Sequence, residues 1–179
     1  IKEAVTDLLE NRDGLVGGIC NGFQALVKLG LVPYGEILEM NSEMPTLTYN
    51  DIARHQSKLV TTKVVSKLSP WFSKIELGEE FVIPISHGEG KFDLPYEENH
   101  YHIPMKYSYS SYPANPNGSD YNVAGICSAD GRHLAMMPHL ERAIFPWQWG
   151  FYPQDRRNDE TTPWIDAFIN ARRWIEKNK

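Results

Sequence analysis

Cys20 sits in the stretch GGICNGFQALVKLG, residues 17–30, between a short apolar run and a helical one, with glycines on both sides. That is the layout of a nucleophile elbow, a sharp strand-to-helix turn that projects a reactive side chain above the edge of a sheet. Gly18 and Gly22 are expected to be small because larger side chains would collide across the turn. The helix that follows would aim the positive end of its dipole at the sulfur and lower the thiol pKa towards the thiolate. The backbone N–H of Asn21 is a natural half of an oxyanion hole. A free cysteine is more often a buried structural residue, so the elbow alone leaves both readings open.

A thiolate attacking an amide needs a base that can also protonate the leaving amine, which points to histidine. Six are available, at positions 55, 87, 100, 102, 133 and 139. His139 follows an apolar run and Pro138 at the end of a strand, and it precedes Glu141 by two residues. A carboxylate there can fix the imidazole tautomer and stabilise the imidazolium, so Cys20, His139 and Glu141 form a triad in elbow-type order. His100 and His102 alternate with Tyr101 and could share a strand face. No third ligand accompanies them, so they read as surface residues and no metal is expected. His133 falls inside a predicted hairpin, where a cross-strand role suffices, and His55 starts a strand with no special neighbour.

SHGEGKF, residues 86–92, lacks the GxxxxGK[ST] spacing and has Phe92 where a P-loop needs a hydroxyl. It reads as a glycine-bracketed turn after a strand, lining a pocket or forming an ordinary loop, and not as a nucleotide site.

These residues need elements to hold them. Residues 1–11 read as an amphipathic helix, with Ile1, Ala4, Val5, Leu8 and Leu9 apolar at helical spacing. LVGGIC reads as a buried strand, and a helix from Asn21 is stopped by Gly30 and Pro33. KLVTTKVV and EFVIPIS read as strands, NVAGICSADGRHLAMM as a hairpin closed by Asp130-Gly131, and SYPANPNGSDYN as a loop. A last helix has Thr162 as N-cap, Pro163 in its first turn and a core stripe of Trp164, Phe168, Ala171 and Ile175. Helix, strand, tight turn and helix make an α/β chain.

The 179 residues fit one domain, and 41% hydrophobic with 23% charged residues fits a globular protein. No apolar run approaches a bilayer span. Lys and Arg total 18 against 23 Asp and Glu, a net charge of -5, so nucleic acid and anionic membranes are not expected partners. Two distant cysteines make neither a disulfide framework nor a zinc ribbon, although spacing leaves a Cys20–Cys127 pair open. A cytoplasmic, reducing compartment is expected.

GICNGFQ, SHGEGKF, YPANPNGS and MMPHLER, in that order over residues 18–142, resemble the glutaminase domains of phosphoribosylformylglycinamidine synthases, a family of class I (triad) glutamine amidotransferases. WQWGFYP further resembles the large, multidomain form. The resemblance implies a three-layer sandwich around a mostly parallel, flavodoxin-like sheet. It implies that Cys20 attacks the glutamine amide to form a glutamyl thioester, that His139 protonates ammonia and then activates water, and that Glu141 orients it. It assigns glutamine binding to Gln24 and to the turn Ser86, His87, Gly88 and Glu89. Ammonia would pass to a synthetase domain of the same longer chain, where ATP with Mg²⁺ activates formylglycinamide ribonucleotide for conversion to the amidine; this part itself would hold no cofactor.

Leu140 stands where the family often has proline, which should leave the chemistry intact. By the same resemblance, residues 1–179 form a single glutaminase domain incomplete at its N-terminus. Its missing first strands would carry the second oxyanion donor, so weak or absent activity is expected of this piece alone. The rival readings are a γ-glutamyl hydrolase or peptidase-like cysteine enzyme on the same elbow, and a catalytically inactive docking domain.

Overall fold

The computed structural model describes residues 2–178. In chain order the elements are α1 (Lys2–Glu10), β1 (Val16–Ile19), α2 (Asn21–Lys28), the helical turn α3 (Leu31–Tyr34), β2 (Thr46–Thr48), β3 (Gln56–Val64), β4 (Glu80–His87), β5 (Lys91–Asp93), β6 (His102–Tyr107), β7 (Val123–Cys127), β8 (His133–Met136) and α4 (Ile165–Lys177). The expected first helix, strand, elbow helix, hairpin and last helix are all present; Ile1, assigned to the apolar face of the first helix, lies outside the described residues.

Six strands form one sheet in the order β1-β8-β7-β6-β3-β4, and β2 pairs with β5 in a small antiparallel ribbon. The sheet is mixed, which corrects the expectation of a mostly parallel one. Only β1 and β8 run parallel among the described residues, while every other pair in the sheet is antiparallel. The reason is connectivity: parallel neighbours need a long crossover, whereas the tight turn at Asp130-Gly131 can only return the chain antiparallel. Gly131 takes φ 73°, and a Cβ there would come within 2.4 Å of the Leu68 carbonyl oxygen.

The three-layer α/β arrangement holds. β8 and the residue after it alternate, with Ala135 and Met137 on one face and Leu134 and Met136 on the other. Phe23, Leu26 and Val27 of α2 pack on the first face, and Trp164 and Ala167 at the start of α4 pack on the second. Thr162, expected as the N-cap of the last helix, instead closes the turn before it, its Oγ1 accepting from the Trp164 N–H at 3.3 Å, while Trp164 is the N-cap and no side chain caps the helix. β6 contains Pro104, which has no N–H to give a ladder, and its pairing with β7 shifts register on either side of Met105.

β4 is an edge strand whose outward carbonyls are nevertheless occupied. Val82 O accepts from Trp164 Nε1 at 3.1 Å, Pro84 O from the His139 N–H at 2.9 Å, and Ser86 O from the Cys20 thiol at 3.6 Å. Alternate residues of one strand edge thus anchor the last helix, the expected base and the expected nucleophile in a row.

Candidate active site

Cys20 links β1 to α2 with φ 55° and ψ -106°, a left-handed conformation that a non-glycine residue adopts only where its surroundings impose it. Its N–H donates to Met136 O of β8 at 2.8 Å, so the turn is fastened at the sheet's end. A Cβ at Gly18 would lie 2.6 Å from the Gly22 carbonyl oxygen and 2.7 Å from Leu26 Cδ1, so position 18 must be glycine for the elbow to close. Gly22 differs from expectation: a Cβ there meets nothing within 4 Å. The collision partner at position 22 is backbone, and a side chain there would point into open space.

The thiol pKa is also corrected. Burial pushes it up, and this outweighs the lowering by the Asn21 N–H and by the Arg142 charge; Glu141 adds a further upward push. The helix terminus acts in the expected direction, but desolvation of a thiolate in this half-buried corner is the larger effect. Without substrate the sulfur is therefore a thiol, its hydrogen directed at Ser86 O.

His139 is 7% exposed, and its Nδ1 lies 2.6 Å from Glu141 Oε1. An ionised carboxylate only accepts, so Nδ1 carries the proton and Nε2 is left with its lone pair. That Nε2 is buried and has no partner. Nε2 of His87 and of His133 is likewise buried without a partner, and what sets His139 apart is the carboxylate at 2.6 Å from its other ring nitrogen. Glu141 also lies 3.5 Å from Arg142 Nε.

The end of β4 and the turn after it are tied to the elbow twice, by the Cys20 thiol at Ser86 O and by Gln24 Nε2, which donates to Glu89 O at 2.9 Å. The structure thus ties Ser86 to the thiol and Glu89 to Gln24, with His87 and Gly88 between them in the chain. His55, given no role by sequence, places Nε2 3.1 Å from Ser86 Oγ at the exposed side of the same turn. Its signal was absent because the contact is long-range in sequence. The loop 111–122 is structural support: Ser119 Oγ donates to Gly90 O at 3.2 Å and accepts from the Phe92 N–H at 2.9 Å.

The remaining histidines stay apart from this cluster. His100 ends a helical turn and His102 opens β6, both exposed, so they do not share a strand face. His133 is buried in the hairpin with Nδ1 3.0 Å from Ser128 Oγ. Both cysteines are free, and among the described residues no group of three or more His, Cys, Asp or Glu could hold a metal ion.

Residues 1–175 match the family of CobB/CobQ-like glutamine amidotransferase domains. The chain belongs to this family. The amidotransferase domain is 38% identical over 181 residues to human phosphoribosylformylglycinamidine synthase, covering 88% of this chain but 13% of the human protein. It is 36% identical over 149 residues to the phosphoribosylformylglycinamidine synthase subunit PurQ of Archaeoglobus fulgidus, covering 74% of this chain and 55% of that subunit. It superposes on a chain of PurLQS from Thermotoga maritima with a TM-score of 0.73 at 26% identity, covering 98% of this chain and 68% of that one. The amidotransferase domain therefore spans a small part of its long relative and just over half of its short one.

Proposed function

We propose that this chain is the glutaminase part of a phosphoribosylformylglycinamidine synthase. The observation that carries the reading is that one strand edge holds a strained elbow thiol at Ser86 O and, at Pro84 O, a histidine whose Nδ1–H is committed to Glu141 and whose buried Nε2 has no partner. In the proposed reaction His139 Nε2 takes the Cys20 proton as sulfur bonds to the side-chain carbonyl carbon of glutamine, with the Asn21 N–H facing the developing oxyanion. The C–N bond breaks, and the proton passes from His139 to the departing nitrogen, releasing ammonia and leaving a glutamyl thioester. Water then attacks the thioester, His139 takes the water proton and returns it to sulfur, and glutamate leaves. Glu141 holds the tautomer and the imidazolium throughout.

Gln24 and the 86–89 turn hold the substrate in this reading. Ammonia passes to an ATP- and Mg²⁺-dependent synthetase component that converts formylglycinamide ribonucleotide to the amidine, and this chain supplies no cofactor of its own. A cytoplasmic, reducing setting fits two free thiols. No helix among the described residues is long and apolar enough to cross a membrane.

The test is glutamate release from glutamine, compared with release from a γ-glutamyl peptide, in the presence of the synthetase component. Preference for glutamine, with loss of at least about 10³-fold in Cys20→Ala and His139→Ala, is the expected result. Preference for the peptide would favour a γ-glutamyl hydrolase, and unaltered behaviour of Cys20→Ala would favour a docking domain.

A further inference from the structure

The turn tied to the elbow is held by a residue outside the triad. Asn50, between β2 and β3, is 2% exposed and every polar atom of its side chain is used on the turn or beside it. Its Oδ1 accepts from the Gly90 N–H at 3.1 Å and lies 3.1 Å from His87 Nδ1. Its Nδ2 donates to the His87 carbonyl at 2.9 Å and to the Arg54 carbonyl at 3.0 Å. Its backbone N–H donates to the Gly88 carbonyl at 3.0 Å.

These bonds fix the chemistry of His87. The Gly90 N–H can only donate, which identifies the amide oxygen, and an amide oxygen can only accept, so His87 Nδ1 must carry the ring proton. His87 Nε2 is then an unprotonated acceptor, buried and without a partner. Gly90 also confines the ring, since a Cβ there would fall 2.4 Å from its Nδ1 and Cε1.

We propose that Asn50 is a positioning residue for glutamine, clamping the 86–90 turn against the elbow and locking His87 as the Nδ1–H tautomer with Nε2 kept as a buried, uncharged acceptor. The claim about glutamine rests on the reading of the 86–89 turn as its binding segment; the claim about His87 does not. Asn50 touches no reacting atom, so its loss should weaken glutamine binding and leave the reactivity of the thiol in place.

Two readouts on this chain test the proposal. Nitrogen-15 imidazole spectra give the His87 tautomer, and the glutamine concentration that half-protects Cys20 from iodoacetamide gives the affinity. Wild type should show His87 as Nδ1–H. Asn50→Ala should lose that tautomer and raise the half-protecting concentration about tenfold or more, with the unprotected alkylation rate within about twofold of wild type. Asn50→Asp keeps both acceptor contacts but sets a carboxylate oxygen against the His87 and Arg54 carbonyls in place of the two donations, so it should keep the Nδ1–H tautomer and raise the half-protecting concentration at least as far as Asn50→Ala. An Nε2–H tautomer in wild type, or half-protection unchanged in both variants, overturns the proposal. If Asn50→Ala does not fold, Asn50→Asp decides by the same measurements. Absence of any protection in wild type overturns the glutamine reading itself, and the spectra still decide whether Asn50 governs His87.

Discussion

At the scale of single residues, the two thiols have opposite fates although both are unpaired. Cys127 is completely buried on β7, its thiol is directed at His102 O, and burial pushes its pKa up to about 12. Cys20 is half-buried at an elbow, with its pKa raised less far. Iodoacetamide should therefore modify Cys20 alone in the folded protein, with a rate that climbs with pH to a midpoint above the value of about 8.5 for a free cysteine. Alkylation kinetics against pH with peptide mapping check this, and a midpoint below that value would mean that the helix terminus outweighs burial. The strand-to-helix turn at Cys20 and the contact between His139 and Glu141 were legible from residue types and spacing. The direction of the thiol shift was not, since sequence shows the helix that follows but not the depth at which the sulfur sits.

At the scale of elements, the elbow depends on how closely β1 and α2 approach. Gly18→Ala places a methyl against the backbone of Gly22 and against Leu26, so it should destabilise the fold by roughly 1–3 kcal/mol and slow Cys20 labelling by glutamine analogues. Gly22→Ala meets no atom and gains helix propensity, so it should leave stability unchanged or raise it by up to about 1 kcal/mol. Urea melts of the two variants separate these outcomes; equal costs would show that the turn tolerates no substitution at either glycine. The helices α1, α2 and α4 and the β7–β8 hairpin were legible because each carries its own periodicity or turn signal; α3 was not, since Pro33, read as a stop, lies inside it. β2 and β5 were not, since three-residue strands carry no period, and Pro104 hid β6. The mostly antiparallel pairing of the sheet was equally hidden, because strand order is set by long-range connections that no local pattern records.

At the scale of the whole molecule, polar residues from distant parts of the chain converge on one end of the sheet, and this burial has a measurable cost in acid. His87 is held neutral by burial, with the nearby His55 and His139 adding to the effect, and its pKa is pushed down to about 4 from 6.5. Between those values the unfolded chain binds a proton that the folded one refuses, so stability falls as pH drops through that window and levels off below it. The loss from His87 alone amounts to about 3 kcal/mol. Burial also lowers the pKa of His133, which acts in the same direction, so the test is the difference between wild type and His87→Gln. Chemical melts at pH 7 and pH 4.5 should show a shallower acid loss in the variant; parallel losses would contradict a neutral, buried His87. Asn50 and His55 could not be found from sequence because their partners lie in the 86–90 turn, far along the chain. The most direct measurement of the proposed chemistry is intact mass, with peptide mapping, after exposure to a chloroketone analogue of glutamine. A single adduct on Cys20, prevented by excess glutamine and absent from Cys20→Ala, is the predicted result. An adduct that forms on Cys127, that survives in Cys20→Ala, or that glutamine does not prevent would contradict Cys20 as the nucleophile of a glutamine site.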